Sequence, residues 1–140
     1  STGYKLLEIP RRIPMNVSTI ANNTVYFSHS SKNLTDVAWV DHPTFKGIQI
    51  KHLLTSAETG NTFSSHLIKV APQCGLESHC HEKQKELHEI IGGSGECVLT
   101  GKTICYKPGV MTVIDEGEPH QVKAGTQGLL LLAKFFPPLV

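Results

Sequence analysis

His79 and His81 stand two residues apart in "ESHCHEK", and on an extended chain both side chains leave the same face. Glu86 follows the loop "EKQK", which is long enough to reverse the chain and bring a carboxylate beside the two imidazoles. Two histidines and one carboxylate on neighbouring strands form a facial set that leaves positions open on a divalent metal. His120, after the turn "DEGEPH", is placed to supply a fourth ligand from the opposite side. His88 lies two residues beyond Glu86 and so shares its strand face. A histidine beside a ligand can act as general acid or base, or it can orient Glu86 through a hydrogen bond. An HxH pair alone is more often a solvated surface pair. The delayed glutamate, the turn "GGSG" and the late histidine tip the reading towards a metal.

The other chemically able side chains read more plainly. His66 is in phase with Ile68 and Val70 and is expected inside, as a satisfied interior histidine. His29, His42 and His52 are expected at the surface. Cys80, between the two candidate ligands, is expected on the opposite face, packing between sheets. Cys97 and Cys105 read as small strand hydrophobes that flank a tight turn, close enough for one disulfide. Tyr106 and Trp39 are expected in the core.

The chain that must position these residues is ordinary in bulk. It has 140 residues, 39% hydrophobic and 18% charged, with a net charge of +1. That length suits one domain with a real core. The balanced charge gives no electrostatic case for a nucleic-acid or membrane partner. No run reaches the roughly 20 apolar residues of a membrane helix. The N-terminal stretch "STGYKLLEIPRR" has no apolar signal core, and none of the four cysteines forms a CxxC pair. Reduced thiols in the cytoplasm are therefore expected.

From about residue 45 the chain reads as short strands punctuated by Gly, Pro and Asn: 47–54, 62–72, 86–91, 96–107, 109–114, 120–124 and 128–136. That spacing predicts an all-β sandwich or barrel over 46–140. Residues 1–45 are turn-rich with weak strand signals and are predicted to form an N-terminal arm packing on the barrel or a partner subunit. The stretch "HEKQKELHEI" has Glu-to-Lys pairs at helical spacing, but its marginal length and the following glycines favour a loop feeding a strand.

These residues resemble the cupins. Their first motif runs through HxH at 79–81, four residues, Glu86, six residues and Gly93; Gln73 occupies its leading glycine position. The second runs through Gly109, Gly117 and His120, with Asp115 in place of a proline and Ala124 in place of an asparagine. The resemblance spans about residues 62–136. It implies a double-stranded β-helix (jelly-roll) barrel, commonly homodimeric, with one divalent ion held by His79, His81, Glu86 and His120. Iron, manganese, nickel, zinc and copper all suit such a site.

Two chemistries follow from four protein ligands on a six-coordinate ion. A redox metal would place a substrate beside dioxygen, and an oxygenase acting on a small organic molecule is the first expectation. A redox-silent ion would polarise a carbonyl while a base such as His88 moves a proton, as an isomerase or lyase on a small carbonyl or sugar-derived compound requires. A non-catalytic ligand-binding or sensor module is the third. Lys69, Lys107 and Lys134 all fall on outer strand phases, which argues against a strongly anionic ligand.

Overall fold

Alternation of apolar and polar side chains decides which face of each strand turns inward, and two long strands carry that alternation furthest. In the computed structural model, which describes Gly3 and residues 16–140, these are β7 (Lys85–Leu99) and β10 (His120–Phe136). They follow α1 (Val17–Ala21), β1 (Thr24–Tyr26), β2 (Ser31–Asn33), β3 (Val40–Asp41), β4 (Ile48–Leu54), β5 (Ser64–Val70) and β6 (Gly75–His79). The hairpin partner β8 (Lys102–Tyr106) and β9 (Met111–Ile114) lie between them. The sequence reading split β7 and β10 into four strands and did not count β6 as one.

β7 and β10 pair antiparallel along their lengths, with register breaks on β10 between Ala124 and Leu129 and between Leu130 and Leu131. Those breaks divide the sheet into two layers that share both strands. In one layer the second half of β10 lies between β5 and the first half of β7, extended by β4 and β3 on one side and β9 on the other. In the other, the first half of β10 pairs with β6 and the second half of β7, and β8 follows. The result is the double-stranded β-helix. At the bend Gly93 has a φ of +78°, and a Cβ there would lie 2.1 Å from the Gly128 carbonyl oxygen. Only glycine meets both demands.

Register lays the inner face out in rows. Ile50, Ile68, Leu131 and Ile90 align across four strands and floor the interior. The next row is His52, His66, Ala133, His88 and Thr112. Beyond it come Ser64, Phe135, Glu86 and Ile114. Leu67, Leu130, Leu132 and Leu53 take the opposite phase and form a second core with Ala21, Leu34, Val37 and Trp39 outside the barrel. Lys51 is 2% exposed in that outer layer; its ammonium donates to the Ala21 carbonyl at the end of α1 and lies 5.8 Å from the Trp39 ring centre. No helix among the described residues is long and apolar enough to cross a membrane. The expected arm falls partly on residues 1–2 and 4–15, outside the described residues.

Candidate metal centre

The two layers bring the expected ligands together. His79 ends β6 and has His120, the first residue of β10, as its cross-strand partner. His81 lies two residues past the end of β6, and Glu86 rises from the start of β7 in the other layer. The ring centres of His79 and His120 are 4.4 Å apart, and that of His81 is 5.2 and 5.9 Å from them. Glu86 Oε1 lies 3.1 Å from His120 Nε2 and 3.8 Å from His81 Nε2. His79, His81 and His120 can each turn a nitrogen within 4.8 Å of the others, and so can Glu86, His88 and His120 as a second group.

Hydrogen bonds fix which nitrogen is free. His79 Nδ1 meets the Glu77 carbonyl at 2.8 Å, and His120 Nδ1 meets the Glu118 carbonyl at 3.0 Å. A carbonyl only accepts, so both Nδ1 atoms carry protons and both neutral rings keep their Nε2 lone pairs. Glu86 and His120 are buried, and Glu86 Oε1 and His120 Nε2 have no hydrogen-bond partner although they face each other. Two lone pairs held together out of water are costly unless a cation lies between them. The donor set is three imidazoles and one carboxylate, which suits a divalent transition ion.

Charge tells the same story. Burial alone would raise the Glu86 carboxyl, but the His120 and His88 rings beside it outweigh that and hold it below the usual carboxylate range. Burial lowers His120, yet Glu86 and the Glu118 carbonyl leave it above the ordinary histidine value. Burial keeps His79 and His81 below their ordinary values and so favours their neutral, ligating forms.

Behind Glu86 stands a polar chain, of which the sequence reading anticipated only the link from His88 to Glu86. His88 Nε2 is 2.9 Å from Glu86 Oε2, and His88 Nδ1 is 2.8 Å from the hydroxyl of Tyr106, which donates to Thr112 Oγ1 at 3.0 Å. Tyr106 is fully buried, as expected for the core, but its hydroxyl is tied into the site. The one available signal was its place in the inward phase of β8.

His42, His52 and His66 join His79, His81, Glu86, His88 and His120 around one cavity of about 80 Å³ with an apolar floor. At about 30 Å³ per water, that admits a small molecule. A wider groove of about 680 Å³ runs over the outside past Asp41, Gln49 and Lys69, away from these histidines. Two surface assignments are thereby corrected. His42 turns inward because its Nδ1 accepts from the backbone N–H groups of Thr44 and Phe45, each at 3.1 Å, which leaves the ring's proton on Nε2. His52 turns inward because it occupies the same strand phase as Ile48 and Ile50. Cys80 does not pack between sheets; its thiol donates to Glu82 at 3.2 Å near the surface. Cys97 is buried and Cys105 exposed, on opposite faces of their strands, and all four thiols are free.

No family model matches the chain. It is 29% identical over 111 residues to an L-ectoine synthase of Bordetella parapertussis, covering 77% of this chain and 83% of that protein. Among solved structures, the polyketide cyclase RemF of Streptomyces resistomycificus superposes with a TM-score of 0.63 at 26% identity, over 74% of this chain and 75% of that one. A cupin-2 domain protein of Rhodospirillum rubrum gives 0.66 at 17% identity, over 72% and 70%. With two layers sharing β7 and β10, and histidine and glutamate side chains from both converging where an ion could be held, the chain has the double-stranded β-helix fold of the cupins.

Proposed function

We propose that the chain is a metal-dependent enzyme that shifts protons within a small carbonyl compound, as a lyase, isomerase or ring-closing enzyme does. His79, His81, Glu86 and His120 would hold one divalent ion, which when bound supplies Lewis acidity to a carbonyl oxygen. The observation that carries the reading is the facing pair of buried, unpartnered atoms, Glu86 Oε1 and His120 Nε2, inside a cluster of tautomer-locked histidines.

His88 is the proposed acid–base residue on this wall. Both its nitrogens are engaged, Nε2 with Glu86 and Nδ1 with the Tyr106 hydroxyl, so a substrate proton would reach it through the Glu86 carboxylate, with the Tyr106 hydroxyl rotating to match. His42 offers an N–H donor to the ligand. Among the described lining residues there is no lysine or arginine, which suits an uncharged substrate. The names of a synthase and a cyclase among similar proteins support a bond-forming reaction. An oxygenase, the first expectation, would use the same ligand set and stands as the second reading, since three imidazoles and one carboxylate also leave room for dioxygen on iron. Both readings keep the homodimer that the cupin resemblance implies, with the cytoplasm as the proposed location.

The test is metal content followed by turnover. Full-length protein loaded with zinc or manganese is expected to exchange the α-hydrogens of hydroxyacetone in deuterium oxide, followed by NMR. Oxygen uptake by the iron-loaded protein, without such exchange, would turn the assignment to the oxygenase. His79→Ala/His81→Ala is expected to lose the metal, and unchanged metal content would overturn the ligand assignment.

A further inference from the structure

On the same sheet as Glu86, with only β10 between β5 and β7, β4 and β5 present a second histidine pair. His52 and His66 are cross-strand partners, and their Nδ1 atoms lie 2.7 Å apart. Two nitrogens at that distance share one proton, so one ring donates and the other accepts. His66 Nε2 is 2.8 Å from Ser64 Oγ, which itself accepts from the Leu139 N–H at 2.9 Å. The serine oxygen can still accept from His66 or donate its own proton to it. The chain Ser64–His66–His52 therefore has two complete hydrogen-bonded arrangements. In one, His52 Nε2 bears a proton; in the other it bears a lone pair.

We propose that His52 is a second acid–base catalyst, positioned by His66 and Ser64, that exchanges protons with a small carbon acid at the other end of the row that His88 occupies. The proposal deepens the proton-transfer reading above and rests on it for the identity of the cavity as a reaction chamber. In the forward step a substrate C–H bond breaks, its electron pair stays on the substrate as an enolate or equivalent, and the proton passes to His52 Nε2. The positive charge is shared through the Nδ1–H–Nδ1 bridge. Return of that proton to a different substrate atom closes the cycle without any other reactant.

The geometry separates the two stations and lets both reach one ligand. Phe135 stands between them, its ring centre 5.5 Å from that of His66 and 4.9 Å from that of His81. Ala133, fully buried, occupies the register position between His66 and His88 and leaves the row open there. Two stations spaced along one row suit a reaction in which one atom loses a proton while another gains one. The pair is also neutral and ready to accept. Burial and the neighbouring His52 hold His66 down to about 4, and burial lowers His52.

Nitroethane tests this without relying on a metal, because it is small and acidic enough for a general base alone. Its deuterium exchange is followed by NMR with the full chain, zinc-loaded and again after chelation. Exchange by wild type is expected to be at least tenfold faster than by His52→Gln, and to fall several-fold in His66→Asn. The surface control His29→Gln is expected to match wild type. A deshielded imidazole N–H resonance from the shared proton is expected in wild type and lost in both cavity variants, with thermal midpoints and zinc content reporting that they remain folded. Equal exchange by wild type and His52→Gln overturns the proposal. Exchange that survives in a protein unable to bind zinc upholds this site while sinking the metal reading.

Discussion

A neutral imidazole has one proton and two nitrogens, and around this cavity the backbone decides where that proton sits. Carbonyls take it on Nδ1 of His79 and His120, whereas two N–H groups exclude it from Nδ1 of His42. His66 is held neutral by burial and by His52, which has a measurable consequence. Above about pH 6.5 the residue is neutral in native and unfolded chains alike and stability does not depend on it. Between about 6.5 and about 4 the unfolded chain takes up a proton that the native chain does not, so stability is lost as the pH is lowered across that window. The slope is up to about 1.4 kcal/mol per pH unit for one such group. Urea denaturation of chelator-treated protein at pH 7 and pH 5 is expected to show a smaller loss in His66→Asn than in wild type. The convergence of His79, His81, Glu86 and His120 was legible in the sequence from spacing, because the count of residues between turns decides which side chains can meet. His52 was not legible, since β4 is covered on both faces: Ile48 packs inside, Lys51 and Leu53 outside. Alternation then gives no in or out.

Strands β7 and β10 each do the work of two, and this is where reading from sequence went astray. "GGSG" in one and "AGTQG" in the other look like chain reversals, yet both mark bends along which pairing continues. A glycine that turns the strand and a glycine that ends it have the same local signature; only the partner strand distinguishes them. Gly93→Ala would put a methyl group against the Gly128 carbonyl at a left-handed φ. A destabilisation of about 2–4 kcal/mol is expected from strain and crowding together, read as a lower urea midpoint at unchanged slope. Because the bend sets how the two layers meet, the same variant is expected to bind zinc more weakly.

At the scale of the whole molecule, two layers face each other over a polar row that an all-apolar barrel would not tolerate. A ligand that binds only the native state stabilises it by mass action, by about 4 kcal/mol at a thousandfold excess over Kd. Zinc is accordingly expected to raise the thermal midpoint by several degrees in proportion to the logarithm of its concentration, and His79→Ala/His81→Ala to show no such rise. There is a further consequence of drawing His79 and His120 from one layer and Glu86 from the other. An ion gripped by both would act as a rivet, and its departure would require the layers to part. Its exchange would then be governed by the rate of opening and not by affinity, so that the metal found in the protein would be a record of the ions present when the chain folded.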